Sequence, residues 1–157
     1  MRVTRSIGSL IPAFLRPRAP ISFDVMARRG APPIHITVAG RVWNVPGRHV
    51  VGTLVIGMLR IPIGRKDPLH IGTDPVCDIL LQANGLHHYL VTLQASASGI
   101  DVRSGRQSVV DVEKVELGER QHLRSLQNGD EVLVTSHAIL ALEPGFTVEI
   151  FPGFRPV

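Results

Sequence analysis

The sequence predicts an all-β antiparallel sandwich over residues 49–157, preceded by an extended arm over residues 1–48. Three observations carry this expectation. From about residue 50 onward, apolar residues recur at every second position, the period of a half-buried strand. Turn-forming residues return at intervals of about eight to twelve, the habit of a sandwich. Six of the twelve prolines (12, 17, 20, 32, 33 and 46) fall in the first 48 residues, where they would interrupt any long helix or central strand.

Within the arm, Ile7, Leu10, Ile11, Phe14 and Leu15 follow the spacing of one helical face, flanked by Arg2, Arg5, Arg16 and Arg18. Farther on, residues 34–45 alternate Ile34, Ile36, Val38 and Val42 around Ala39-Gly40, which predicts a small hairpin or a cover for a sheet edge. In the sandwich, strands are expected at 50–57, 59–63, 69–72, 78–81, 89–95, 99–103, 108–112, 114–117, 121–124, 131–135, 137–142 and 146–151. Gly64, Gly72, Gly85, Gly99, Gly105, Gly118, Gly129 and Gly145 punctuate these runs. The alternation places Ile71, Ile79, Leu81, Val91, Leu93, Val132, Val134 and Leu140 inside, and turns Asp101, Asp111, Glu113 and Glu116 outward.

Composition narrows the function classes. A chain of 157 residues holds one well-buried domain, and seven aromatics mean that its core is aliphatic. No apolar run approaches the roughly 20 residues of a membrane-spanning helix, and the segment IGSLIPAFL lacks a small-residue cleavage site. The single cysteine, Cys77, excludes an intramolecular disulfide and any cysteine-cluster metal site, which points to a reducing, cytoplasmic location. The net charge of +4 is unevenly spread. Residues 1–48 hold eight arginines and one acid, giving 8 − 1 = +7. The remainder holds 9 basic and 12 acidic side chains, giving −3. A folded part of acidic balance argues against nucleic acid as a partner.

Four segments carry a family resemblance: Leu69-His70-Ile71-Gly72, Cys77-Asp78-Ile79-Leu80-Leu81, Leu86 to Leu93, and Leu126-Gln127-Asn128-Gly129-Asp130-Glu131-Val132. By their order and spacing, residues 50–143 resemble the forkhead-associated (FHA) domain. That resemblance implies a β-sandwich of about eleven strands that recognises phosphothreonine. It also implies where the phosphate site should lie, and there the chain departs from the pattern. Thr73 follows Ile71-Gly72 where the family places an Arg. His87-His88-Tyr89-Leu90 stands where the family has Ser-Arg-x-His, and Arg106-Gln107-Ser108 stands where it has Asn-Gly-Thr. Losing two hydrogen bonds to a charged group would cost roughly 3–6 kcal/mol, about a hundredfold to ten-thousandfold in affinity. Arg103 or Arg106 could compensate only by reaching the same pocket from another loop.

The remaining candidates are weaker. His87 and His88 read first as loop and strand-entry residues with solvated rings, and second as a contact at the recognition-loop apex that strengthens on protonation. Metal ligation comes last, because adjacent strand residues point to opposite faces and no His-x-x-x-His or cysteine partner accompanies them. Cys77, beside an apolar strand, reads as a small buried hydrophobe before it reads as a nucleophile. Residues 104–108 read as a solvated turn before an anion loop. No cofactor and no metal are expected.

The favoured expectation is therefore a non-enzymatic interaction module or accessory subunit, a degenerate FHA domain whose loops (Thr73, His87, His88, Arg103, Arg106, Ser108) and basic arm dock on a protein partner within a larger assembly. The arm residues Arg5, Ile7, Leu10, Ile11, Phe14, Leu15, Arg16 and Arg18 would make that contact, with an anionic membrane surface as the other host for such a segment. The alternative is a phosphothreonine-peptide reader with an unusual pocket. An enzyme is the third class.

Overall fold

The computed structural model describes residues 19–27 and 29–153. The expected amphipathic helix over Ile7–Leu15, with its flanking arginines, lies outside the described residues. Thirteen strands form among the described residues: β1 (Ile21–Val25), β2 (Ile34–Val38), β3 (Val50–Ile56), β4 (Leu59–Gly64), β5 (Leu69–Gly72), β6 (Ile79–Gln82), β7 (Leu90–Ala95), β8 (Ile100–Ser104), β9 (Val109–Glu116), β10 (Glu119–Gln127), β11 (Glu131–Val134), β12 (Ala138–Leu142) and β13 (Phe146–Pro152). They lie in two sheets. One has the order β1-β2-β6-β5-β7-β8-β11, the other β10-β9-β12-β13-β3-β4. The all-β sandwich expected from the period-two pattern is what the chain adopts, with eleven strands from Val50 onward and two contributed by the arm. Pairing is antiparallel except between β5 and β6, which run parallel with Ile71 opposite Ile79.

Alternation builds the core. Ile71, Ile79, Leu81, Val91, Leu93, Val134 and Leu140 are buried as expected, in one cluster with Leu54, Ile61 and Ile150 of the second sheet. Val132 is only partly buried, because β11 ends its sheet and pairs with β8 alone. Asp101, Asp111 and Glu113 alternate with buried Ile100, Val102, Val110 and Val112. Asp111 accepts a hydrogen bond from Ser125, and Glu116 pairs with Lys114 at 2.9 Å.

The arm's last part is integral to the first sheet. β2 pairs with β6 on one side and β1 on the other, and Ile34, Ile36 and Val38 are almost completely buried. Covering the β6 edge in this way removes a row of open backbone groups. The hairpin expected over 34–45 does not form, however. Its first half is β2, while Gly40–Trp43 fold as a 3-10 turn. Competition explains the difference. Ala39 N–H donates to Asp78 O at 2.8 Å, and the Arg41 guanidinium reaches the Asp78 carboxylate at 2.7 Å and Val76 O at 2.8 Å. Pro46 then brings no N–H for a ladder. β2 finds its neighbours at residues 21–25 and 79–82 instead.

The expected strands at 108–112 and 114–117 are one strand, β9. Its partner β10 continues past the rest of the sheet, because β9 meets β12 only over Val110–Lys114. The ribbon turns through Leu117 (φ 52°) and Gly118 (φ 81°). Leu117 is fully exposed and occupies a left-handed conformation that suits Gly or Asn rather than a branched apolar side chain.

Two substitutions test this architecture. Ile36→Ala should lower unfolding stability by about 2–4 kcal/mol in a denaturant titration, the cost of truncating a fully buried isoleucine; a loss under about 1 kcal/mol would mean that β2 is not part of the core. Leu117→Asn should raise stability by about 0.5–1 kcal/mol by relieving the left-handed strain, read as an increase in Tm, and a decrease would contradict that reading.

Candidate functional site

The start of the 73–78 connection meets the loops at 83–89 and 105–108 at one end of the sandwich, and their backbones are laced together. Gly72 closes β5 so near the neighbouring strand that an added Cβ would stand 2.3 Å from Tyr89 O. Only glycine permits that approach. Beyond it, Thr73 N–H donates to Tyr89 O at 3.0 Å and Tyr89 N–H donates to Thr73 Oγ1 at 3.0 Å. Gly105 repeats the arrangement on the other side of the strand, its N–H donating to Leu90 O at 2.8 Å. Leu90 N–H donates to Ser108 Oγ at 2.9 Å, and that hydroxyl donates to Arg106 O at 3.3 Å. Ser108 is completely buried. The hydroxyls of Thr73 and Ser108 therefore serve the loops' own backbones.

Tyr89 anchors the cluster from below. Its ring is buried, its hydroxyl donates to Val109 O at 2.7 Å, and it accepts from Glu143 N–H at 3.3 Å. Burial above all, helped by the negative charges of Glu143 and Asp111, pushes the phenol well above its ordinary value. Gln107 holds a left-handed backbone (φ 58°), and its N–H donates to Asn128 Oδ1 at 2.9 Å.

The structure brings Thr73, His87, His88, Arg106 and Ser108 to this end of the molecule, but not as one polar pocket. His87 and His88 are exposed and line a cleft of about 560 Å³ whose opposite wall comes from Ala27, Ala31 and Pro32 of the β1–β2 connection. Asn84, Gln107 and Glu143 add polar groups, while Ile34, Leu86 and Pro144 are apolar. Arg106 is exposed. Arg103 does not join the loops: it alternates with buried Val102 and Ser104, so it faces outward from the first sheet and pairs with Glu131 at 2.9 Å.

Cys77 is buried, and an added Cβ on Gly72 would stand 3.2 Å from its Sγ. Burial raises the thiol pKa, with Asp74 and Asp78 adding to the rise and an Asp74 hydrogen bond and Arg41 opposing it. A protonated thiol in that position packs as an apolar group. Among the described residues no group of three or more His, Cys, Asp or Glu could hold a metal ion, and no helix is long and apolar enough to cross a membrane.

Sequence reasoning missed the work of Asp78. Its carboxylate accepts from Arg41 Nε at 2.7 Å and from His70 N–H at 2.8 Å, joining the arm, β5 and the start of β6. The Cys-Asp-Ile segment marks the residue, but its partner Arg41 is 37 positions away, beyond any local pattern. Comparison with known proteins adds nothing to this geometry. No protein-family model, curated protein or solved structure matches the chain.

Tyr89 supplies a pH test. A phenol whose folded pKa lies above its unfolded value of about 10 stabilises the fold fully below that value and loses its contribution as pH rises through the folded pKa. Tyr89→Phe should therefore cost about 1 kcal/mol at neutral pH, from the lost bond to Val109 O, and should show a shallower stability loss above pH of about 10 than the parent chain. Parallel losses in both proteins, measured by denaturation across pH, would contradict the assignment.

Proposed function

We propose that the chain is a non-enzymatic interaction module, a degenerate FHA-type sandwich that docks a protein partner through the loop end rather than reading a phosphate. The observation that carries this reading is the internal use of the loop hydroxyls. Thr73 Oγ1 is taken by Tyr89 N–H and Ser108 Oγ by Leu90 N–H, so the two hydroxyls nearest a would-be phosphate are already satisfied. The eleven strands from Val50 onward support the family reading in number. The neighbouring cleft mixes small apolar side chains with exposed imidazoles and amides, a surface suited to an apolar peptide segment with a few backbone hydrogen bonds. The Arg-rich arm precedes β1 in the chain and supplies a second contact of opposite character.

One observation favours the alternative of a phosphothreonine reader. Arg106 stands exposed at the loop apex and takes no part in the ion pairs among the described residues, so it could approach a phosphate together with His87. The two readings separate in one experiment. A phosphothreonine peptide library titrated against the full chain should show no binding, or binding at least about a hundredfold weaker than the micromolar affinity of an intact reader. Micromolar binding that vanishes on dephosphorylation and in Arg106→Ala would establish the reader instead. A photo-crosslinking residue placed at His88 should capture a discrete protein partner in cells, whereas the same group at Glu119 should not; equal labelling at both positions would sink the docking role.

A further inference from the structure

A second cleft, of about 510 Å³, lies at the other end of the sandwich. Asp78, which borders it, immediately precedes β6, whereas the 83–89 loop follows the end of that strand. Two segments form its walls: the stretch from Asn44 through the 3-10 turn Gly47–His49, and the β4–β5 connection from Gly64 to Pro68. They are fixed to each other. Arg65 N–H donates to His49 O at 2.8 Å, and Gly64 lies so close to Val45 that an added Cβ would stand 3.2 Å from its methyl group.

The cations around this cleft outnumber its carboxylates. The ion pairs among the described residues take none of Arg48, Arg65 or Lys66, and all three side chains are exposed. Arg41 is neutralised by Asp78 at 2.7 Å, which leaves Asp67 as the carboxylate facing these cations. Partial burial first, and then the charges of Lys66, Arg48 and Arg65, hold the His49 imidazole below its ordinary value. The floor is apolar, made by Val42, Val45, Pro46, Pro62 and Leu69.

We propose that this cleft binds an organic phosphate, its phosphoryl group held at the rim by Arg65 and Lys66 with Arg48 beside them, and its apolar body resting on the valine and proline floor. A guanidinium fork matches phosphate oxygens in a bidentate way and a lysine adds a compact charge. The size lies within the range of small-ligand sites, about 300–1,000 Å³. A phosphate joined to an apolar body is presented both by soluble phosphomonoesters and by phospholipid headgroups, so the source is for the experiment to decide.

The test uses the full chain with naphthyl phosphate, inorganic phosphate, and phosphatidylcholine vesicles with and without phosphatidic acid. Naphthyl phosphate should bind saturably and at least about tenfold more tightly than inorganic phosphate, through the added apolar contact. The double variant Arg65→Gln/Lys66→Gln should weaken it at least about tenfold. Its substitutions fall on exposed loop side chains, so an unchanged circular dichroism spectrum and Tm accompany the loss. Binding to naphthyl phosphate without binding to phosphatidic acid vesicles assigns a soluble ligand, and binding to both assigns a headgroup. Absence of saturable binding in both arms overturns the proposal. So does an equal loss in the exposed control Arg120→Gln/Arg124→Gln, or a loss confined to the arm variant with Arg2, Arg5, Arg16 and Arg18 changed to Gln, since either would reduce the effect to general positive charge.

Discussion

Much of the loop end depends on one close contact, the approach of the Gly72 backbone to the carbonyl of Tyr89. A side chain at position 72 would collide with that oxygen at 2.3 Å. Because nothing intervenes, Thr73 and Tyr89 exchange backbone and hydroxyl hydrogen bonds, the 83–89 loop is held against β5, and the Tyr89 ring is driven inward to Val109 and Glu143. Gly105 makes a similar approach to Leu90 from the next strand. The loops are thus positioned by main-chain contacts that tolerate almost no substitution at two glycines, while the residues they display, His87, His88 and Arg106, are held by few contacts of their own. Such a division between a fixed frame and variable presented groups is common where loops carry recognition.

Asp78 performs the corresponding service for the arm. Its side chain is mostly buried, and an ionised carboxylate there needs both of its partners. The Arg41 guanidinium supplies charge and the His70 N–H a hydrogen bond. Removing it would leave a backbone donor without its acceptor and a 3-10 turn without its anchor, so the arm and the sandwich are coupled through a single carboxylate as well as through the β2–β6 ladder.

The fold was largely legible in the sequence because its strands are amphipathic. Ile71, Ile79, Val91 and Leu93 announce an inward face by position alone. The errors came where that signal fades. Charged residues on a protruding ribbon made β9 look interrupted near Glu113, and the edge position of β11 left Val132 half-covered despite its correct phase. Val42, though in phase with β2, was diverted into a turn by Asp78. The site was less legible for a related reason. Residue types at 73, 87 and 108 indicated a departure from a phosphate pocket, but whether a hydroxyl is available or already engaged depends on a backbone donor from another strand. Thr73 with Tyr89, Ser108 with Leu90 and Gln107 with Asn128 are pairs separated by 16, 18 and 21 positions, distances over which local periodicity is silent.

The pairing of β3 with β13 has a consequence for how the chain reaches this structure. Val55 lies opposite Glu149 and Gly52 opposite Pro152, so the second sheet joins segments from opposite ends of the sandwich sequence. Closure of so long a loop carries its entropic cost before any contact rewards it. During synthesis, the edge of the β3–β4 hairpin that β13 will cover stays unpaired until β13 has left the ribosome. Throughout that interval the β3 edge that β13 will take presents unpaired backbone groups, which makes the nascent chain, rather than the finished sandwich, the form more open to wrong strand pairing.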